Sequence, residues 1–137
     1  NLDGVQMGTR CPGAHEVGHA RAYGWRIAFR RRPHTAVGAA TLVAAPSDAW
    51  VDGVVWIVDD AGLTRLDAYE GVPRVYARHA LRVTVPAGAE VKVWAYTLAE
   101  WQGPGRPAPA YVDTIVRAYR TRGLAPRPLA RALLEAR

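Results

Sequence analysis

The chain is 137 residues long and half apolar, enough for one well-buried core and too short for two, so residues 1–137 read as a single domain. It lacks both an apolar run of about 18 residues that could span a bilayer and the charged-then-apolar order of a secretory signal, which predicts a soluble, cytoplasmic protein without a membrane partner. One cysteine, Cys11, excludes an internal disulfide and a multi-cysteine metal centre, and the formal charge of +6 is carried by arginines scattered from Arg10 to Arg137, a distribution that suits small acidic substrates better than nucleic acid.

The only methionine is Met7, so a chain opening at Asn1 reads as a trimmed product or a fragment. After a short helical start, the odd positions from Val17 to Phe29 alternate with small or polar residues, which predicts one strand with a buried odd face. Residues 36–44 and 53–58 are rich in Val, Thr, Ile and Trp and are separated by the turn-forming Pro46, Ser47 and Asp48. They predict two further strands, the second buried on both faces. Asp59 and Asp60 are N-cap candidates for a brief helix with Leu63 and Leu66 on its inner stripe, ended by Gly71 and Pro73.

A hairpin is predicted next, from 75–85 through Pro86, Ala87 and Gly88 to 91–98. Gln102 to Ala110 is rich in Gly and Pro and reads as a linker. Val112, Ile115, Val116 and Tyr119 then fall at helical spacing as far as Gly123, and Pro128 opens a final helix carrying Leu129, Leu133 and Leu134. Many strands in so short a chain are best satisfied by a curled or closed sheet, which removes exposed edges. The expected fold is α+β: a small curled or closed mixed β-barrel flanked by short helices.

Protein nucleophiles are scarce. Ser47 is the only serine and lies in a turn, Cys11 directly precedes Pro12, and neither sits in a nucleophile elbow. His15 and His19 fall on a predicted strand, where residues four apart stand roughly 13 Å from one another, too far to share an ion. Glu70 is the exception. Four residues after Leu66 and seven after Leu63, it projects from the same side of its helix. It also stands at the helix C-terminus, where the macrodipole disfavours a second negative charge. A carboxylate so placed is a candidate proton acceptor and donor.

Several blocks of this sequence, in order, resemble the gamma-glutamylcyclotransferase family. They are Met7-x-x-Arg10-Cys11-Pro12-x-Ala14, Gly53-Val54-Val55-Trp56, Leu66-Asp67-x-x-Glu70-Gly71-Val72 with Tyr76, and Pro107-x-Pro109-x-Tyr111. The resemblance implies a small barrel with flanking helices and neither cofactor nor metal. It implies release of 5-oxoproline from a small γ-glutamyl substrate by attack of the substrate's own α-amine on its γ-carbonyl. The family's catalytic glutamate falls on Glu70 and its substrate-contacting tyrosine on Tyr111, while Tyr76 and Tyr96 resemble aromatic positions lining the same cavity. The family's substrate loop reads Tyr-Gly-Ser-Asn after a first strand. Asn1 and Leu2 are expected to be the end of that loop and to contact substrate, with the first strand and Tyr-Gly-Ser lying before this stretch and the stretch alone weakly active or inactive. A gamma-glutamyl deprotecting enzyme of a biosynthetic pathway, or a non-catalytic binding module, would use the same fold, as a monomer or homodimer.

Overall fold

The computed structural model describes residues 2–137. Helix α1 (Gly4–Arg10) opens the domain, with the Asp3 carboxylate accepting from the Gln6 N–H at 2.9 Å as its N-cap. Strands β1 (His15–Tyr23), β2 (Trp25–Arg31), β3 (Gly38–Ala44) and β4 (Trp50–Ile57) follow, then helix α2 (Asp60–Glu70). A hairpin of β5 (Tyr76–Thr84) and β6 (Glu90–Leu98) leads to helices α3 (Pro109–Arg122) and α4 (Arg127–Glu135). All recorded strand pairs are antiparallel, in a four-stranded sheet ordered β4-β1-β5-β6 and a two-stranded sheet of β2 and β3. The α+β class is as expected. The sheets curl around a common interior, but among the described residues their hydrogen-bonded ladders do not join into a closed barrel.

Three local expectations are corrected. The strand predicted across 17–29 is two strands, because Gly24 takes a left-handed φ of 76° and turns the chain from one sheet into the other, a conformation that costs glycine little. The buried side of β1 is also the even one, Ala20 and Ala22, while Val17 and Tyr23 are exposed. A bulge between Glu16 and Gly18 shifts the register there. Strand β4 is half-buried along most of its length rather than buried on both faces.

The Gly/Pro-rich stretch after β6 is not a loose linker either. It runs antiparallel beside β2: Gln102 N–H donates to Arg31 O at 2.8 Å, Arg31 N–H to Gly103 O at 3.2 Å and Gly105 N–H to Phe29 O at 3.2 Å. Its backbone groups are therefore satisfied in sheet fashion, although its composition disfavours a regular strand.

The largest buried cluster joins Phe29 of β2 to Tyr119, Leu124, Leu129, Ala132 and Ala136, so that α3 and α4 cover the small sheet. A second cluster, Ala20, Ala22, Val51, Leu81 and Val83, fills the large sheet. The third is the one that places the site. Met7 and Cys11 pack on Leu66, with Trp56, Val58 and Tyr96 around them, and a Cβ at Gly62 would fall 2.5 Å from the Cys11 sulfur. This contact presses α2 against the end of α1. Among the described residues no helix is long and apolar enough to cross a membrane.

Both ends of α2 are closed. The Asp59 side chain accepts from the Gly62 N–H at 2.7 Å, while beyond Glu70 the N–H groups of Gly71 and Val72 bond back to Ala68 O and Asp67 O, a Schellman ending. Asp59→Ala is expected to lower unfolding free energy by about 1 kcal/mol, seen as a reduced urea midpoint with an unchanged denaturant slope.

Candidate functional site

The hairpin register places two of the predicted residues, Tyr76 and Tyr96, on one face. Tyr76 is opposite Leu98, Arg78 opposite Tyr96 and Ala80 opposite Trp94. Side chains alternate along strands, so Tyr76, Arg78, Trp94 and Tyr96 share one face. Helix α2 lies over this face through Asp67, one helical turn before Glu70. The Tyr96 hydroxyl donates to Asp67 Oδ1 at 2.7 Å, and Arg78 Nη1 donates to Asp67 Oδ2 at 3.0 Å. Arg78 also stacks over Trp94, 4.8 Å from the ring centroid. Asp67 thus holds both strands of the hairpin to α2.

Tyr76 reaches the other sheet, donating its hydroxyl to the carbonyl oxygen of Ala40 on β3 at 2.9 Å. Tyr111, in the first turn of α3, sets its ring edge-on to Phe29 with centroids 6.4 Å apart. Pro109 at the start of that helix fixes the backbone direction that delivers it. Residue by residue, then, Glu70 comes from the last turn of α2, Tyr76 and Tyr96 from the two hairpin strands, and Tyr111 from α3.

Electrostatics tie the four together. Tyr76 is pushed well above the usual phenol value, first by burial and then by Tyr111 and the Glu70 carboxylate, with Arg32 opposing. Tyr96 is raised by burial first, then by its bond to Asp67, with Glu70 adding to the shift. Tyr111 is raised by burial, opposed by a backbone hydrogen bond from Ala40, with Glu70 again contributing. The Glu70 carboxylate contributes to the upward shift of all three phenols, and each stays protonated at neutral pH. Among the described residues the half-buried Glu70 carboxylate has no hydrogen-bonding or ion-pairing partner of its own.

The remaining predicted positions are Asn1 and Leu2. Asn1 lies outside the described residues. Leu2 packs against the Phe29–Tyr119 core, and its carbonyl oxygen accepts from Arg122. A cleft of about 620 Å³ runs between α1 and α3, lined by Leu2, Val5, Glu16, His19, Arg117 and Thr121 among others, and shares no residue with the Glu70 group. Among the described residues no three His, Cys, Asp or Glu side chains gather as a metal site.

Sequence reasoning overlooked two participants. Asp67 was visible three positions before Glu70, the spacing that puts two side chains on one helix face, but its partners follow from hairpin register. The Ala40 peptide carries no side-chain signal at all.

Comparison with known proteins gives a consistent picture. A solved uncharacterized protein from Homo sapiens is 27% identical, with a TM-score of 0.80 over 90% of this chain and 75% of that one. A solved gamma-glutamyl cyclotransferase is 25% identical, with a TM-score of 0.79 over the same shares. YkqA from Bacillus subtilis, 19% identical, shares the fold with a TM-score of 0.77 over 94% of this chain and 47% of that one. Comparison with curated proteins gives no match. The family described as "Gamma-glutamyl cyclotransferase, AIG2-like" matches residues 5–113, a span that contains all of α1 but its first residue, the whole sheet system, Glu70 and the three tyrosines, and the chain belongs to that family.

Proposed function

We propose that the protein releases 5-oxoproline from γ-glutamyl dipeptides or γ-glutamyl amines, with Glu70 as general acid and base. The observation that carries this reading is a half-buried carboxylate that has no hydrogen-bond or ion-pair partner among the described residues and contributes to the upward shift of three protonated tyrosines, in a chain whose only serine and cysteine lie in a turn and in the core. A site with no side-chain nucleophile suits a substrate that brings its own. In this reaction the substrate's α-nitrogen bonds to its γ-carbonyl carbon, closing a five-membered lactam, and the bond from that carbon to the departing nitrogen breaks. Glu70 takes the proton that the attacking nitrogen must lose and returns it to the leaving amine, so the carboxylate ends as it began.

The protein's larger task is geometric. Holding the glutamyl chain bent, with nitrogen and carbonyl in contact, can remove roughly 7–11 kcal/mol of barrier in the most favourable intramolecular cases. Tyr76, Tyr96 and Tyr111, anchored to separate elements, are suited to that positioning. The test is 5-oxoproline release by the full-length protein from a panel of γ-glutamyl dipeptides and γ-glutamyl amines. Turnover of at least one class is expected; none across the panel would overturn the reading.

A further inference from the structure

Strand β2 ends on Phe29, Arg30 and Arg31, and strand alternation sends the middle side chain to the opposite face from its two neighbours. Arg30, only 9% exposed, stacks over Trp101 with its guanidinium carbon 5.0 Å from the ring centroid. Arg31 shares the face of Phe29. Two of the site tyrosines arrive at Phe29: the Tyr111 ring meets it edge-on at 6.4 Å, and Ala40, opposite Phe29 in the ladder, accepts the Tyr76 hydroxyl on its carbonyl oxygen at 2.9 Å. Arg31 follows about 7 Å further along the strand.

The stretch after β6 holds Arg31 by its backbone. Its carbonyl oxygen accepts from Gln102 N–H at 2.8 Å and its N–H donates to Gly103 O at 3.2 Å. The side chain then runs over two glycines: a Cβ at Gly105 would stand 2.4 Å from Arg31 Cγ, and one at Gly103 would stand 3.8 Å from Nη2. In this glycine-lined trough Arg31 Nε is buried without a hydrogen-bond partner, and among the described residues the guanidinium joins no ion pair. The outer nitrogens, Nη1 and Nη2, are not among the buried atoms and remain open to solvent. A partly buried cation without a counter-charge is costly to hold. Its open edge has the planar fork that receives a carboxylate on two parallel N–H bonds.

We infer that Arg31 receives the carboxylate of the departing amino acid, which makes γ-glutamyl dipeptides the preferred substrate class and γ-glutamyl amines the poor one. This rests on the cyclotransferase reading and narrows it. The chemistry at the γ-carbonyl is the same for both classes, so the distinction lies in what the leaving amine carries. An amino acid leaves with a carboxylate and an alkylamine does not. Arg31 is then a specificity-determining residue that acts by binding and takes no part in the proton transfers.

The experiment compares 5-oxoproline release by the full-length protein from γ-glutamyl-alanine and γ-glutamyl-ethylamide. Ethylamine is alanine without its carboxylate, so the two substrates differ in that group alone. The dipeptide is expected to have the higher kcat/KM by about tenfold or more, the size of one charged hydrogen bond. In Arg31→Gln the two should come within about threefold of each other, with the fall borne by the dipeptide through a raised KM. Arg31→Lys keeps the charge and loses the fork, so an intermediate preference is expected. A merely structural role would lower both substrates together. Equal kcat/KM in the wild type, an undiminished preference in Arg31→Gln, or a parallel fall of both substrates in each variant overturns the inference. If neither compound is turned over, the catalytic reading falls and calorimetry with the two unreacted compounds decides. Tighter binding of γ-glutamyl-alanine that disappears in Arg31→Gln then upholds the carboxylate site, and equal binding removes it as well.

Discussion

Glu70→Gln is expected to lower kcat for 5-oxoproline release by about 10²- to 10⁴-fold, the usual worth of a positioned general acid-base group. The amide preserves shape and can still accept a hydrogen bond, but it does not take up a proton near neutral pH. Thermal stability should be unchanged within about 0.5 kcal/mol, because no described residue depends on this carboxylate for a hydrogen bond or ion pair. Loss of turnover with an intact melting curve is the signature to look for. Unchanged turnover would remove Glu70 from the chemistry.

That glutamate was legible in the sequence because its signal is local. Leu63, Leu66 and Glu70 share a face through helical periodicity alone, and Asp59 and Gly71 bound the helix by capping chemistry that needs no tertiary contact. The tyrosines were nameable only through resemblance, since Tyr76, Tyr96 and Tyr111 come from three elements and meet through hairpin register and the seat of α3. Elsewhere, residue size misled. Tyr23 and Val17 look more inward than Ala20 and Ala22, yet the close approach of β1 to the interior selects the alanines. The stretch from Gln102 escaped notice for a different reason. Its contacts with β2 are made by backbone groups of Gly103 and Gly105, and backbone pairing leaves no side-chain pattern to read.

That pairing yields the second large effect. Gly38 on β3 and Gly105 in the strap beside β2 touch backbone to backbone: a Cβ at Gly38 would stand 1.9 Å from Gly105 O and 2.5 Å from its carbonyl carbon. Neither atom belongs to a side chain that could rotate away, so the strap itself must move. Moving it strains the bonds from Gly38 N–H to Arg106 O at 3.0 Å and from Gly105 N–H to Phe29 O. Gly38→Ala is therefore expected to destabilise the domain by about 3 kcal/mol, the upper part of the overpacking range, lowering Tm by roughly 10 °C for a domain of this size. The strap runs on into Pro109 and Tyr111, so the displacement should also shift the Tyr111 ring and reduce kcat/KM at temperatures where the variant is still folded. Gly53→Ala is the control. A Cβ there meets nothing within 4 Å, and alanine in a strand interior restricts the unfolded chain more than glycine does, so a neutral or slightly raised Tm is expected. A Gly38→Ala protein as stable as the Gly53→Ala control would mean that the strap is not held against β3 and that Tyr111 owes its position to α3 alone.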